Sequence, residues 1–248
     1  MIKDIIIENL LLKIPKLSNR ILKYISRNKL GRLIKNLEKK SIGIKNVYDI
    51  GANKGEWSSF YRSTSLNKSI FYLFEANHAH KEILKEKKFD VYFGVLSDEE
   101  KTVEFFNNNN STGDSYYKEN TENHENLVPQ KINAVTLNKI VSVNNLPFPD
   151  LIKIDTQGSE IDILKGANQI LENCKLLYLE CPILAKFNQN KLNILDYLKF
   201  VESLGFIPHD INDVIHYHGY LVQLDIIFIR KELSKKLNLN QDLLKKFY

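Results

Sequence analysis

Three short stretches of the chain place glycines or carboxylates where they could bind a ligand. The first runs from Val47 to Gly55 and reads Val-Tyr-Asp-Ile-Gly-Ala-Asn-Lys-Gly. Gly51 permits a tight turn that a ligand can approach closely, and Gly55 lets a following helix begin near the strand. The free N–H groups of that helix suit an electronegative or carboxylate group. Asn53 and Lys54 break the G-x-G-x-x-G spacing, so the stretch does not predict a dinucleotide site.

Two further stretches bring carboxylates to the ends of apolar runs. Phe71–Glu75 ends in an acid 26 positions after Asp49. An acid about 20 residues beyond a glycine turn can accept hydrogen bonds from both hydroxyls of an adenosine ribose. Leu151–Ile154 delivers Asp155 to the end of a strand, where open α/β sheets bind ligands, and Glu160 falls in the first turn of the next helix. Each acid also has a plainer explanation, as an exposed strand end or a helix cap.

Short apolar runs alternate with helical stretches over most of the chain, and these elements must position the carboxylates. Continuous apolar runs separated by helices indicate a parallel sheet covered on both faces. We therefore predict an α/β fold with a doubly wound sheet, in which the last strand follows a loop-like stretch. The predicted strands are Val47–Ile50, Ile70–Phe74, Val91–Val95, Leu151–Ile154, Leu176–Leu179 and Leu224–Ile229. Helices are predicted at His78–Lys87, Ser159–Glu172 and Leu192–Leu204.

In combination these stretches resemble the FkbM-type family of methyltransferases. The resemblance runs from about Val47 to Arg230 and has five parts in the family's order, although the family has Pro where Ala76 stands here. The matching parts are Asp49–Gly55, Phe74–Asn77, Leu151–Glu160 with Leu164–Ala167, Leu179-Glu180 and Gln223–Phe228. The resemblance implies a Rossmann-like, seven-stranded sheet with a reversed last strand. It also implies S-adenosyl-L-methionine as cofactor and methyl transfer to oxygen, commonly to a hydroxyl of a sugar or natural product.

The resemblance and the motifs together assign residues to the two halves of a methyltransferase site. Glu75 is expected to bind the ribose, and Leu96 and Ser97 follow the third strand as candidate neighbours of the adenine. The full cofactor-binding set is Asp49, Gly51, Asn53, Gly55, Glu75, Leu96, Ser97 and Asp155. The candidates for the group that removes the hydroxyl proton are Asp155, Glu180 and His209, with Asp210, His216 and His218 as further possibilities. We predict no metal site, because no carboxylate cluster accompanies the spaced pair His216 and His218.

A long polar stretch at residues 107–126 interrupts the alternation of strands and helices. It contains four consecutive Asn residues and then the pair Tyr116-Tyr117. Long loops of this kind are often lids over active sites, and the two aromatic rings could stack on a sugar face. A disordered surface insertion, common in chains rich in Asn and Lys, explains the stretch equally well.

The basic charge of the chain is concentrated at its N-terminus. Residues 1–45 hold twelve Lys or Arg against three Asp or Glu, so the rest of the chain carries a net charge of −4 out of the total of +5. We predict two parts, a basic amphipathic helical arm at residues 1–45 and a methyltransferase domain at 46–248. The arm could dock on the domain, pair with another copy of the chain, or lie on an anionic membrane surface.

The composition favours a cytoplasmic location. No apolar stretch reaches the roughly 18–20 residues of a membrane span, no cleavable leader is evident, and two cysteines among 248 residues do not require an oxidising compartment. The interpretation is O-methylation of a saccharide or nucleotide-linked sugar of a surface glycan. Two alternatives stay open: a nucleic-acid methyltransferase that uses the basic arm, and a non-catalytic scaffold or membrane-surface module. We expect no nucleic-acid partner, because the main domain is acidic.

Overall fold

The computed structural model describes residues 29–107, 113–120, 126–183 and 189–237. These residues form ten strands: β1 (Asn46–Ile50), β2 (Ile70–Glu75), β3 (Asp90–Phe93), β4 (Val95–Ser97), β5 (Lys101–Phe105), β6 (Gln130–Thr136), β7 (Leu151–Ile154), β8 (Leu176–Pro182), β9 (Phe206–Tyr217) and β10 (Tyr220–Arg230). The α-helices among them are α1 (29–38), α2 (Glu56–Arg62), α3 (Lys81–Glu86), α4 (Leu137–Val143), α5 (Glu160–Lys165), α6 (Ile194–Ser203) and α7 (Lys231–Lys236). Short 3₁₀ helices lie at His78–His80 and Ile170–Asn173.

Seven of the strands form one sheet in the order β3-β2-β1-β7-β8-β10-β9. The first five strands in this order run parallel to one another, whereas β10 is antiparallel to both of its neighbours, β8 and β9. The chain moves outward in one direction from β1 to β3 and in the other direction from β7 onward. The predicted fold class, a doubly wound sheet with a reversed last strand, is therefore confirmed.

Hydrophobic cores on both faces hold the sheet between helices. Alternate residues of β1 illustrate the division, since Tyr48 and Ile50 join one core and Val47 joins the other. The first core contains residues of α4, α5 and α6, and the second contains residues of α1, α2, α3 and α7. Strands buried on both faces carry apolar side chains almost without interruption, which is why the sequence pattern revealed them.

The described part of the basic arm packs into the second core. Four apolar side chains of α1, those of Leu30, Leu33, Ile34 and Leu37, are almost fully buried there. Residues 1–28, which make up more than half of the predicted arm, lie outside the described residues. Among the described residues, no helix is both long enough and apolar enough to span a membrane.

Two features of the fold differ from the sequence-based expectations. The stretch before the last strand was expected to be a loop but forms the twelve-residue strand β9, which pairs with β10 along its length. The predicted strand Val91–Val95 is divided, and its last residue begins β4 in a separate sheet of order β4-β6-β5. Edge strands such as β9 carry polar side chains, so their pattern does not resemble that of a buried strand.

Candidate active site

A cavity of about 540 Å³ opens at the carboxyl ends of the central strands β1, β2, β7 and β8. It lies where the winding of the sheet reverses between β1 and β7, and ligands of open α/β sheets bind at such a switch point. Its lining includes Gly51, Asn53, Trp57, Glu75, Leu96, Tyr116, Lys153, Asp155, Gln157, Tyr178, Glu180, Asn212, Asp213 and Asp225. Six of the predicted site residues therefore share one cavity: Gly51, Asn53, Glu75, Leu96, Asp155 and Glu180.

The glycine turn after β1 has the conformation that the sequence predicted. Gly51 has φ +72°, and a Cβ atom at this position would lie 1.9 Å from the backbone oxygen of Asp155. Gly55 has φ +70°, and its Cβ would lie 2.9 Å from a side-chain carbon of Leu84 on α3. Only glycine meets both demands, a left-handed backbone and close approach of neighbouring chain. The turn thereby brings the ends of β1 and β7 together at the cavity.

Glu75 ends β2 with its carboxylate held in a fixed orientation. One carboxylate oxygen accepts a hydrogen bond from the backbone N–H of Asn53 at 2.5 Å, and the other accepts from that of Asn77 at 2.8 Å. Burial raises the pKa of Glu75, and the two backbone donors oppose this shift by stabilising the ionised form. Because the side chain lines the cavity, its remaining lone pairs can accept hydrogen bonds from a ligand's hydroxyls.

Lys153, a buried residue that the sequence analysis did not single out, contacts Asp49, Gly51 and Asp155. The Lys153 ammonium lies 3.0 Å from Oδ1 of Asp49 and 3.5 Å from Oδ2 of Asp155, and it donates to the carbonyl of Gly51 at 2.8 Å. Burial alone would lower the pKa of Lys153, but the carboxylates of Asp49 and Asp155 outweigh it and raise the pKa. A charged residue inside an otherwise apolar strand was the signal in the sequence.

Asp49 lies beneath the cavity and does not line it. Its side chain is fully buried, and its second oxygen accepts a hydrogen bond from the Ser58 hydroxyl of α2 at 2.6 Å. Gly55 likewise shapes the turn from outside the cavity lining. These two predicted cofactor-binding residues therefore support the turn, whereas Gly51 and Asn53 face the cavity itself.

The side-chain amides of two glutamines donate hydrogen bonds to the carboxylates near the ends of β7 and β8. The Gln157 amide donates to Asp155 at 3.0 Å and to Glu180 at 2.6 Å. Gln223 of β10 donates to the other oxygen of Glu180. Burial, followed by the charges of Asp155 and Glu160, raises the pKa of Glu180 well above its usual range, so this residue retains a proton to higher pH than an ordinary Glu.

Glu160 has a structural position outside the cavity lining. Its carboxylate accepts hydrogen bonds from the backbone N–H groups of Thr156 and Gly158 and from the Tyr197 hydroxyl of α6, at 2.9, 3.0 and 2.6 Å. It is 1% exposed, so it closes the turn after β7 and joins it to α6. The two backbone donors precede α5, so these bonds order the turn and are not the helix cap considered from the sequence.

The polar stretch after β5 lies partly over the cavity. Residues 108–112 and 121–125 of the predicted loop are outside the described residues, but Gly113–Tyr116 line the cavity. The hydroxyls of Tyr116 and Tyr117 both donate to the Asp162 carboxylate, at 3.0 and 2.7 Å. The hydroxyls of both tyrosines are thus hydrogen-bonded within the protein, and of the two residues only Tyr116 lines the cavity.

Two other predicted site residues do not reach the cavity. Ser97 is fully buried, and its hydroxyl contacts Asp98 and Tyr116 instead of the cavity. His209 lies on β9 outside the lining, where burial lowers its pKa. His216 and His218 are exposed near the tip of the β9–β10 hairpin. Within the described ranges no group of three or more His, Cys, Asp or Glu side chains has a metal-binding arrangement.

Four residues that sequence reasoning missed line the end of the cavity away from Glu75: Tyr178, Asn212, Asp213 and Asp225. Tyr178 lies on β8, Asn212 and Asp213 lie on the unpredicted strand β9, and Asp225 lies on β10. Because β9 was expected to be a loop, nothing in the sequence indicated that its residues face β8 and β10. Asp225 was quoted within the family's last motif, and that was the available signal.

The reversed, doubly wound sheet with a cavity at its switch point is the architecture that the resemblance to methyltransferases implied. A family model described as the methyltransferase FkbM domain matches residues 49–222. The chain therefore belongs to the FkbM family of methyltransferases. A search of curated proteins finds no significant match.

The similarity of this chain to solved structures is limited in both sequence identity and TM-score. A methyltransferase FkbM from Methylobacillus flagellatus KT is 15% identical, with a TM-score of 0.47 over 74% of this chain and 43% of that chain. This chain thus spans less than half the length of that protein. The magnesium protoporphyrin IX methyltransferase of Synechocystis PCC 6803, solved with bound S-adenosylmethionine, is 10% identical, with a TM-score of 0.44 over 83% and 80% of the two chains. A precorrin-6y C5,15-methyltransferase from Geobacter metallireducens GS-15 is 13% identical, with a TM-score of 0.42 over 75% and 79%.

Proposed function

We propose that the protein transfers a methyl group from S-adenosyl-L-methionine to a hydroxyl of a saccharide or nucleotide-linked sugar destined for a surface glycan. The observation that carries the proposal is a single cavity with two chemically different ends. Glu75 and the glycine turn follow β2 and β1 on one side of the sheet, and a set of carboxylate, phenol and amide groups comes from β8, β10 and β9 on the other side. One ligand can therefore be held at each end, with the reacting atoms between them.

The residues at the first end fit the adenosine and methionine parts of the cofactor. Glu75 presents a carboxylate whose orientation is fixed by two backbone donors, which suits a vicinal pair of ribose hydroxyls. Leu96 supplies an apolar wall for the adenine, and the turn at Gly51 and Asn53 leaves room for the rest. When bound, S-adenosyl-L-methionine supplies a methyl carbon activated by its positively charged sulfur.

The second end of the cavity suits a polyhydroxylated acceptor. Glu180, Asp213 and Asp225 can accept hydrogen bonds from hydroxyls, and the partly buried Trp57 supplies an aromatic ring to the same lining. Trp57 and Tyr178 lie edge to face, with ring centroids 5.6 Å apart. Carboxylates in this number favour an uncharged part of the acceptor and disfavour phosphate groups, so we propose no nucleic-acid substrate.

We propose that the basic residues before α1 position the enzyme. Peripheral contact with the inner face of the membrane, or pairing with another copy of the chain, would use their charge or their apolar face. The enzyme itself is proposed to act in the cytoplasm. Binding to anionic vesicles that is lost at high salt supports the membrane role, and no binding by the intact protein refutes it.

Calorimetry with S-adenosyl-L-methionine tests the proposed cofactor site. Glu75→Gln keeps the size of the side chain but removes its charge, and we expect at least a tenfold loss of affinity, because hydrogen bonds to a charged group contribute about 1.5–3 kcal/mol. Glu104→Gln on β5, outside the cavity lining, is the matched control and should leave the affinity unchanged. A wild-type protein that does not bind the cofactor refutes the proposed function.

A further inference from the structure

Three carboxylates stand side by side across the strands at the far end of the cavity. In the register of the sheet, Asp225 of β10 is opposite Glu180 of β8 on one side and opposite Asp213 of β9 on the other. Directly opposed residues of antiparallel strands point to the same face, and like charges in these positions destabilise the sheet. All three carboxylates line the cavity, so the like charges that cost stability lie where a ligand would bind.

A bulge in β9 brings one more polar side chain to this row. Asp225 pairs with Asp213, but the next residue, Ile226, pairs with Ile211, so Asn212 is an extra residue in β9. A bulge of this kind interrupts the alternation of side chains between the two faces. As a result Asn212 and Asp213, although adjacent in the chain, both line the cavity.

The Tyr178 hydroxyl connects Asn212 to Asp225. Tyr178 donates to Oδ2 of Asp225 at 2.7 Å and accepts a hydrogen bond from the Asn212 amide nitrogen at 3.0 Å. Burial and the nearby Asp225 charge raise the pKa of Tyr178 well above its usual range, so the phenol keeps its proton and remains a donor. The hydrogen bonds therefore run in one direction and stabilise negative charge on Asp225.

Two buried polar atoms in the cavity lining have no hydrogen-bond partner among the described residues. These atoms are the amide oxygen of Asn212, which is 2% exposed as a residue, and the indole nitrogen of Trp57. An unsatisfied buried polar atom costs free energy, and such atoms are rare in folded proteins. A ligand that offers both a hydrogen-bond donor and an acceptor, as a hydroxyl does, would satisfy them.

Asp155 and Glu180, the two cavity acids that the sequence analysis named as candidate bases, already have other protein groups as partners. Asp155 contacts the ammonium of Lys153 and the amide of Gln157. Both oxygens of Glu180 accept hydrogen bonds from glutamine amides, and burial raises its pKa well above the usual range, so it gives up its proton less readily than an ordinary Glu. Burial and then the charge of Asp155 raise the pKa of Asp225 to about 7, close to the value that suits a general base at physiological pH.

From this arrangement we propose that Asp225, held by Tyr178 opposite the bulge at Asn212, accepts the proton of an uncharged sugar hydroxyl that is methylated at this end of the cavity. The inference rests on the proposed function. In the transfer, the acceptor oxygen forms a bond to the methyl carbon while the carbon–sulfur bond breaks with its electron pair left on sulfur. The hydroxyl proton passes to the Asp225 carboxylate, and Asn212 and Trp57 orient the sugar.

The test measures cofactor affinity and methyl transfer separately, so that the two proposals can fail independently. Calorimetry with S-adenosyl-L-methionine is followed by transfer of labelled methyl groups to a panel of methyl glycosides of common hexoses and deoxyhexoses, with the matching sugar phosphates beside them. Asp225→Asn should keep cofactor affinity within about threefold and lose about 10²–10⁴-fold in kcat/KM, the usual contribution of a general base. Asp90→Asn on β3, outside the cavity lining, is the matched control.

The pH dependence of kcat/KM distinguishes a base from a merely structural residue. Tyr178→Phe removes the donor to Asp225, so the acid limb of the profile should move up by about one pH unit, with the rate recovered at higher pH. The other titratable or charged groups around Asp225 are Glu180, Asp155, Asp213 and Lys153, and all of them are retained in this variant. Tyr220→Phe at the exposed hairpin tip is the control and should not move the limb.

The outcomes separate as follows. If the wild-type protein binds no cofactor, the proposed function fails and the inference fails with it. If the wild type binds cofactor but methylates no glycoside, or prefers the sugar phosphates, the proposal that the acceptor at this end is an uncharged sugar hydroxyl is overturned. Retained kcat/KM in Asp225→Asn, or loss of cofactor binding in this variant while it stays folded, overturns Asp225 as the proton acceptor.

Discussion

Replacing Lys153 by Met should destabilise the protein far more than the loss of an ordinary ion pair. Lys153 is 3% exposed, and its partner Asp49 is fully buried with 3.0 Å between the charged atoms. Removing one member of a buried pair leaves an uncompensated charge and costs about 3–5 kcal/mol. The substitution also removes the donor to the Gly51 carbonyl, which adds to the loss. We therefore expect the free energy of unfolding to fall by at least about 3 kcal/mol.

A double-mutant cycle measured by urea unfolding at pH 7 tests this reasoning. Adding Asp49→Asn to Lys153→Met removes the orphaned charge but retains an oxygen for Ser58, so most of the lost stability should return. The control is Lys139→Met, whose ion pair with Glu100 has both side chains about half exposed and should contribute about 1 kcal/mol or less. Two results would contradict this reasoning: a loss of unfolding free energy in Lys153→Met no larger than that in Lys139→Met, or a double variant no more stable than Lys153→Met. Either would show that Lys153 does not compensate the buried charge of Asp49.

Gly51→Ala should lose cofactor binding or fold poorly, because its Cβ would lie 1.9 Å from a backbone oxygen, whereas Gly43→Ala meets nothing within 4 Å; equal thermal stability and cofactor affinity in the two variants would contradict this. Folding raises the pKa of Asp225 from about 4 to about 7, so protonation of this residue favours the native state. The free energy of unfolding of the wild type should therefore fall relative to that of Asp225→Asn as the pH rises through this window. A difference between the two proteins that does not change with pH in urea titrations would refute this prediction. Deleting residues 2–28 should preserve thermal stability and cofactor affinity. Deleting residues 2–45 should abolish folding, because it removes α1, a helix of the core. If the longer deletion gave a stable protein that binds the cofactor, α1 would be dispensable.

The sequence predicted the strands whose local pattern reflects burial on both faces. Each predicted run in the central sheet has a counterpart among β1, β2, β3, β7, β8 and β10. The predicted helix at Leu192–Leu204 corresponds to α6, which begins at an Asn193 capping box and is followed by Gly205 at φ +85°. Ser159–Glu172 instead divides into α5 and a 3₁₀ helix. Continuous apolar runs and caps are local signals, so they can be read without knowing the neighbours.

Strand β9 and the small sheet β4-β6-β5 could not be predicted in the same way. In β9 the stretch Pro208–Asp213 contains residues that favour turns, and its exposed face offers no alternation typical of a core strand. Its extended conformation depends on pairing with β10 along nearly its whole length. β10 follows β9 after only the two residues His218 and Gly219, but the polar side chains of β9 give no local signal of this pairing, so the strand becomes evident only in the folded chain.

The sequence by itself determined the buried strands of the central sheet, the glycine turn and the position of Glu75 at the end of its strand, because conformation there follows from residue type and from the apolar pattern of the same segment. It also carried the family, since five motifs occur in a fixed order. Only the tertiary structure decided which charges meet. Lys153 compensates Asp49 because β7 is the neighbour of β1, and Asp225 faces Tyr178 because β10 is reversed and inserted between β8 and β9. Burial and the distance between charges set electrostatic energies, and both belong to the packed molecule and not to any stretch of its sequence.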